Sequence, residues 1–114
     1  MKIIKLYTGE DGKSHFMEMD CGQEKQQALG VYSKKFPASG IQFRDSEPDL
    51  AMNWHNAPQP QYIIYLEGQV EVQASGGETR VFHAGDVLFA TDLTGQGHIS
   101  KVLTQCRSVI VTTE

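Results

Sequence analysis

The chain has 114 residues, of which 39% are hydrophobic and 21% are charged, and its formal net charge is −4. This length supports one domain, residues 1–114, with a core of its own. The acidic balance and the scattered basic residues argue against a nucleic-acid partner, and no window approaches the roughly 18 apolar residues of a membrane span.

The cysteines and the first residues indicate a compartment. Residues 1–10, MKIIKLYTGE, turn polar before they complete the apolar run of a secretion signal. Cys21 and Cys106 are far apart and belong to no CxxC pattern. We therefore expect a cytoplasmic protein in which both thiols are reduced and buried.

Short runs of β-branched and aromatic residues recur along the chain, separated by Gly, Pro, Asp and Ser. This spacing predicts an all-β sandwich or barrel. Residues 45–52 are predicted as a polar connection, and Gln23–Leu29, between Gly22 and Gly30, is the one short candidate for a helix. The predicted strands are Ile3–Tyr7, Ser14–Met19, Val31–Phe36, Ile41–Arg44, Tyr62–Leu66, Gln69–Ala74, Glu78–His83, Val87–Ala90, His98–Leu103 and Arg107–Thr112.

The centre of the chain reads as two strands joined by a tight turn. Glu67-Gly68 is typical of the turn of a hairpin between Tyr62–Leu66 and Gln69–Ala74. About ten short strands in one domain favour a jelly roll of two antiparallel sheets, because this arrangement leaves only short or protected edges. The mouth of such a roll is a natural site for a small molecule.

Two segments carry a resemblance to a known family. In residues 53–75, His55 and Gln61 precede the strand-turn-strand sequence YIIYLEGQVEV. In residues 84–100, Gly85-Asp86 precedes a hydrophobic strand, and Gly95 and His98 follow it. These two segments resemble the two motifs of the cupin family. The resemblance implies a double-stranded β-helix, the cupin jelly-roll barrel, with motif 1 at about 53–75 and motif 2 at about 84–100.

Three shorter signatures narrow the resemblance. They are DGKSHF at 11–16, WHNAP at 54–58 and TGQGH at 94–98. Together they resemble a group of small bacterial single-domain cupins that has no assigned reaction. The resemblance therefore implies a fold and leaves the function to be argued from the residues.

The resemblance also implies a possible metal site. Cupins that bind iron, manganese, zinc or nickel use three histidines and a glutamate that face into the barrel. Those positions fall here on His55, Ala57, Gln61 and His98, so one imidazole is absent and an amide replaces the carboxylate. Such a set should bind a divalent ion more weakly. His15 is a candidate for the vacant position. The alternative is a metal-free pocket in which His55, Gln61 and His98 hydrogen-bond an organic ligand.

Strand alternation adds a candidate ligand-binding residue. Gln61, Ile63 and Tyr65 share one face of their strand. If Gln61 faces the cavity, Tyr65 can offer its hydroxyl to a ligand. The alternative is that Tyr65 is a core aromatic residue.

Arg44 and Trp54 are the remaining candidates for ligand binding. The planar guanidinium of Arg44 could bind a carboxylate or a phosphate. The alternative is a surface salt bridge to Asp45 or Glu47. Trp54 precedes His55 and is expected either to pack or to form the rim of the cavity.

Two functions follow from these residues. One is a metal-dependent enzyme of the oxygenase, lyase or isomerase type that acts on a small polar organic molecule. The other is a metal-free module that binds or senses such a molecule. We also expect a homodimer, because cupins often pair through sheet edges and the strand Ile3–Tyr7 needs a neighbour.

Overall fold

A computed structural model describes the backbone of all 114 residues and the side chains of residues 1–22 and 26–114. The described chain is all-β and contains no helix, so no helix of the described residues is long and apolar enough to cross a membrane. Its twelve strands are β1 Ile3–Thr8, β2 Ser14–Met19, β3 Gln23–Gln27, β4 Gly30–Ser33, β5 Gly40–Ser46, β6 Ala51–His55, β7 Gln61–Glu67, β8 Gln69–Ala74, β9 Thr79–His83, β10 Val87–Ala90, β11 His98–Val102 and β12 Cys106–Thr112.

The larger sheet has six strands in the order β2-β1-β10-β7-β12-β5. The pairing of β1 with β10 is parallel, so the expectation of purely antiparallel sheets is wrong for this pair. The pairing also gives the strand Ile3–Thr8 a neighbour on each side, because β2 lies on its other edge. The N-terminal strand is therefore not a free edge, and β2 and β5 end this sheet.

The smaller sheet has four strands in the order β6-β11-β8-β9. Strand β6 covers residues that the sequence pattern predicts partly as a connection. Four of its five residues are exposed, and β6 is the outer strand of its sheet, so it lacks the buried alternation that marks a strand in a sequence. No strand pair links the two sheets in the described backbone.

The turn at Gly68 connects the two sheets and does not close a hairpin. Strand β7 belongs to the larger sheet and β8 to the smaller one, so the predicted pairing of these two strands is wrong. Gly68 has φ 82°, and a Cβ there would meet the backbone of Gln105 and Cys106. Only glycine fits this corner, where the chain turns against the segment before β12.

The helix candidate Gln23–Leu29 is also wrong. Residues 23–27 form β3, which pairs with β4 in a separate two-stranded sheet. Leu29 is 90% exposed and lies in the turn between them, so it does not provide the buried anchor of an amphipathic helix. The side chains of residues 23–25 lie outside the described residues.

The hydrophobic core lies between the inner faces of the two large sheets. It joins side chains from both, with Tyr65 of β7 stacked on Phe82 of β9 at a ring-centroid distance of 5.3 Å. Alternating apolar residues on β1, β7, β8 and β10 supply most of it, as the period-two pattern predicts. Cys21 and Cys106 are both buried and free. The core fills one part of the space between the sheets and leaves a cavity beside it.

Candidate functional site

A cavity of about 110 Å³ lies between the inner faces of the two sheets. Arg44 is the only residue with a formal charge in its described lining, which contains no Asp, Glu or Lys side chain. The lining residues come from both sheets and from the segment after β6: Arg44, His55, Ala57, Pro58, Gln61, Ile63, Tyr65, Val70, Val72, Leu88, Ala90, His98, Ser100 and Val102. This composition is that of a small binding pocket, mostly apolar with a few convergent polar groups.

A β-bulge turns His55 toward this cavity. His98 pairs with His55, and Ser100 pairs with Met52. Between these two pairs β6 advances by three residues and β11 by two. The extra residue breaks the alternation of β6, as bulges commonly do where a side chain must be re-aimed. The Nδ1 atom of His55 lies 2.7 Å from the carbonyl oxygen of Asn53. Because a carbonyl can only accept, Nδ1 carries a proton, and in the neutral ring Nε2 carries a lone pair.

His98 lies opposite His55, and the two ring centroids are 4.2 Å apart. The Nδ1 atom of His98 donates to Oδ2 of Asp92 over 2.6 Å. Asp92 has no exposed surface and His98 is only 6% exposed. The carboxylate therefore orients His98 and, in the neutral ring, leaves its Nε2 atom as an acceptor, which is how a second residue commonly orients a functional histidine.

Asp92 is held by the segment that the sequence singles out as WHNAP. The side-chain amide of Asn56 donates to three backbone carbonyls of the loop between β10 and β11, those of Asp92, Thr94 and Gly95, at 3.0–3.2 Å. The other carboxylate oxygen of Asp92, Oδ1, is buried without a partner among the described residues. Asn56 thus fixes the conformation of the loop, and the loop in turn positions Asp92 and His98.

Strand β1 and the N-terminal signature DGKSHF also form hydrogen bonds with this loop. Thr8 Oγ1 donates to the carbonyl of Thr94, and Gln96 N–H donates to the carbonyl of Gly12. The hydroxyl of Ser14, which is buried, donates to the carbonyl of Gly97 over 2.7 Å. Residues of the two other signatures therefore form hydrogen bonds with the loop that contains TGQGH. These bonds fix the loop that ends at His98.

Gly97 allows the two histidines to stand opposite each other. It has φ 78°, and a Cβ at this position would overlap the carbonyl of His55. A side chain here would push β6 away from β11, so glycine is required by close backbone approach as well as by conformation.

Strand β7 places Gln61, Ile63 and Tyr65 on the cavity side, as the alternation predicts. Tyr65 is also part of the core, so it combines the two readings of the sequence. Burial raises the pKa of the Tyr65 hydroxyl well above its usual range, and the positive charge of Arg44 opposes that rise. Tyr65 is therefore a neutral hydroxyl at the cavity wall.

Arg44 faces inward from the edge strand β5. Its Nε–H donates to the hydroxyl of Ser108, the residue opposite it on β12, over 3.1 Å. The salt bridge to Asp45 or Glu47 is absent from the described ion pairs, because Arg107 binds Asp45 at 3.0 Å. A second, outer groove of about 240 Å³ shares Arg44, His55 and Ser100 with the cavity, so these residues lie where the cavity opens between β5 and β6.

The structure does not bring His15 and Trp54 to the cavity lining. The ring of His15 lies against Gly9 and Gly76, and its Nε2 atom is 3.0 Å from the carboxylate of Asp11. This bond lowers the pKa of Asp11. Trp54 is 40% exposed beside the bulge. Ala57, and not His15, occupies the wall at the position where the family pattern has its second histidine.

Sequence reasoning missed Asp92, Asn56 and Ser100. Asp92 and Asn56 lie in loops, where strand alternation gives no direction for a side chain. The available signal was chemical: a lone carboxylate six residues before His98, in a segment bounded by two predicted strands. Ser100 follows His98 by two residues and shares its face of β11, so alternation alone could have placed it.

The comparisons with known proteins support the fold. No protein-family model and no curated protein matches the chain. The conserved SPY1581 protein of unknown function from Streptococcus pyogenes is 15% identical with a TM-score of 0.56, over 72% of this chain and 69% of that one. Protein NMB1881 from Neisseria meningitidis is 16% identical with a TM-score of 0.53, over 69% and 79%. Likeness at these identities shows a shared all-β fold and carries nothing about activity.

A third solved structure aligns over more of the chain but less closely. It is a putative ethanolamine utilization protein Q from Salmonella typhimurium, 19% identical over 98% of this chain and 94% of that one, with a TM-score of 0.42. At this score the alignment carries no argument for the site.

Replacing Asp92 with Asn should release the tautomer of His98. The amide keeps the shape of the carboxylate but is a neutral acceptor that can also donate, so the ring is no longer held with its proton on Nδ1. In ¹⁵N NMR spectra recorded in mildly alkaline buffer, we expect separate protonated Nδ1 and unprotonated Nε2 signals for His98 in the wild type. In Asp92→Asn these two signals should move toward each other.

Asp86→Asn is the matched control, because Asp86 lies 3.4 Å from Nδ1 of the exposed His83. It should leave the His98 signals in place. Unchanged His98 signals in folded Asp92→Asn protein would show that the carboxylate does not set the ring.

Proposed function

We propose that this protein is a cupin-type jelly roll that binds a small polar organic molecule in the cavity between its sheets, with no resident metal ion. One observation carries the binding role. Both cavity histidines use Nδ1–H in bonds to the protein, His55 to a backbone carbonyl and His98 to Asp92. In the neutral form of each ring, the Nε2 atom therefore keeps its lone pair for something outside the fold.

The polar groups of the cavity suit a ligand that donates hydrogen bonds. The two Nε2 atoms are acceptors on rings 4.2 Å apart, a spacing compatible with adjacent hydroxyl or amino groups. Gln61 offers an amide that both donates and accepts, and Ser100 offers a hydroxyl. The apolar wall formed by Ile63, Val72 and Leu88 leaves room for a short carbon skeleton.

The cavity volume limits the size of the ligand. A water molecule occupies about 30 Å³ in the liquid, so 110 Å³ corresponds to roughly four such volumes. Pockets for drug-sized ligands are about three times larger or more. The proposal is therefore for a molecule with about four to six non-hydrogen atoms inside, and any longer part would extend into the outer groove.

The cupin assignment is supported by how the two motif segments are used. Residues 53–75 and 84–100 supply β6, β7, β8, β10 and the start of β11. They bring His55, Gln61 and His98 to one cavity between two sheets. The cytoplasmic location expected from the sequence stays a prediction.

His55→Phe should weaken binding of a neutral hydroxylated probe. The phenyl ring keeps the shape of the imidazole and removes the Nε2 acceptor, at a cost of about 1 kcal/mol, or roughly fivefold in affinity. Lactamide is a suitable probe, because it has six non-hydrogen atoms and one free hydroxyl. We expect an NMR titration with lactamide to shift the imidazole signals of His55 and His98.

The exposed His83 provides the control, and His83→Phe should titrate like the wild type. If lactamide and its acid, lactate, both leave every cavity resonance unmoved, the proposed binding function is wrong.

A divalent metal ion is the second candidate occupant, and the two free Nε2 atoms are the observation in its favour. The rest of the donor set does not fit a tightly held ion. Gln61 offers a neutral oxygen, Ala57 offers none, and Arg44 adds a positive charge to the same cavity. Among the described residues no group of three or more His, Cys, Asp and Glu side chains could hold a metal. Any ion would therefore be weakly bound.

Restoring the missing donors should create a strong metal site. Ala57→His combined with Gln61→Glu supplies a third imidazole and a carboxylate. In calorimetric titrations of tag-free protein, we expect the double variant to bind Zn²⁺ about a hundredfold more tightly than the wild type, if not more.

The wild type itself provides the decisive control. Stoichiometric metal that survives dialysis against a chelator, and that is lost in His98→Ala, would replace the metal-free proposal with the metal-dependent one.

The expected homodimer remains part of the proposal, with a different surface. The edge strands β5 and β6 end the two sheets on the side where the cavity opens. Both carry exposed apolar side chains, including Phe43, which is 78% exposed, and Met52. We propose that a second copy covers these edges through a two-fold interface, since one self-complementary patch would then protect both unpaired strands.

Phe43→Asp should convert the dimer into a monomer, because a charge would be buried in the apolar part of the interface. Leu29→Asp is the control, as Leu29 is exposed on a distant hairpin turn. Light scattering should report a dimer for the wild type and for Leu29→Asp. A wild type that is monomeric at micromolar concentration would refute the dimer.

A further inference from the structure

Arg44 has a free guanidinium at the mouth of the cavity. One of its five N–H groups, on Nε, donates to the Ser108 hydroxyl, and the four terminal N–H groups have no hydrogen-bond partner among the described residues. No carboxylate among the described side chains lies within ion-pair distance of Arg44. Arg44 is exposed at the cavity mouth, where its charge is accessible to a negatively charged ligand.

Asp45, which follows Arg44 in the chain, is engaged elsewhere. Asp45 is bound by Arg107, and this hydrogen bond raises the pKa of the Arg107 guanidinium. The charge of Arg44 also acts on two buried groups. Burial raises the pKa of the Cys106 thiol and of the Tyr65 hydroxyl, and the positive charge of Arg44 opposes both increases. The cavity lining therefore combines one positive group, Arg44, with the hydrogen-bonding imidazoles of His55 and His98.

We infer that the ligand is a short hydroxycarboxylate. Its carboxylate binds the guanidinium of Arg44, and its hydroxyl donates to the free Nε2 atom of His98 or His55. This inference rests on the proposed function and narrows the class of the molecule from a polar organic compound to a small organic acid.

A carboxylate suits this position better than a phosphate. The planar fork of arginine matches the two oxygens of a carboxylate, and one positive charge balances its single negative charge. A phosphate monoester carries between one and a half and two negative charges at neutral pH, and the described cavity lining offers no second cation for it. The size of the cavity also excludes sugar phosphates and nucleotides from full burial.

Three probes of nearly equal size separate the two contacts. Lactate has the carboxylate and the hydroxyl, lactamide keeps the hydroxyl without the charge, and propionate keeps the carboxylate without the hydroxyl. Calorimetric or NMR titration should rank lactate first. Because Arg44 is partly exposed to water, the contact of its charge with a carboxylate should make lactate about tenfold tighter than lactamide, the low end of the range for charge-assisted hydrogen bonds.

Substitutions of arginine test the assignment directly. Arg44→Gln should abolish the preference for lactate over lactamide. Arg44→Lys should retain part of the preference, since it keeps the charge and loses the fork. Arg80→Gln removes an equal charge outside the cavity lining, where Arg80 binds Glu78, and should change nothing.

The outcomes distinguish this inference from the function on which it rests. Equal binding of lactate and lactamide to the wild type, or a loss of the preference in Arg80→Gln as well, would overturn the carboxylate assignment and leave the binding pocket standing. Binding of propionate as tight as that of lactate would overturn the role of the hydroxyl.

Discussion

The hydrogen bond between Asp92 and His98 determines the chemistry of the cavity. It joins a fully buried carboxylate to a nearly buried imidazole over 2.6 Å. A buried carboxylate is costly unless it is paired, so the ring must remain where it is, with Nδ1 turned toward Asp92. The orientation of Nε2 toward the cavity follows from that requirement. The Nδ1 atom of His55 also donates a hydrogen bond, to the carbonyl of Asn53, and this bond needs no buried carboxylate.

Several residues of the three sequence signatures support the position of His98 and do not line the cavity themselves. Ser14 and Asn56 touch the loop of Asp92 through hydrogen bonds to its backbone, and Gly97 admits the carbonyl of His55. In the structure His15 binds Asp11 and packs between two glycines. The residues nearest to a site in sequence can thus serve its geometry without touching what it binds.

Much of the inner architecture was predictable. The alternation of Gln61, Ile63 and Tyr65 placed them on one face, and the two motif segments brought His55 and His98 together. The pairing of strands was less predictable, because a Glu-Gly turn looks the same locally whether it closes a hairpin or crosses between sheets. Strand β6 was not predicted as a strand, because an exposed, bulged edge strand has no regular alternation of apolar and polar residues. The state of Arg44 depended on Arg107, which takes Asp45 from a position 62 residues away.

The fastening of the histidine loop has a consequence for how the protein is made. Thr8 and Ser14 bind carbonyls that lie 86 and 83 residues further along the chain. Contacts of such sequence separation form late, since a long loop must close before they gain anything. During synthesis the N-terminal hairpin has to wait until almost the whole chain has emerged. We therefore expect the cavity to acquire its final shape in one of the last steps of folding, which makes ligand binding a sensitive reporter of complete folding in this small domain.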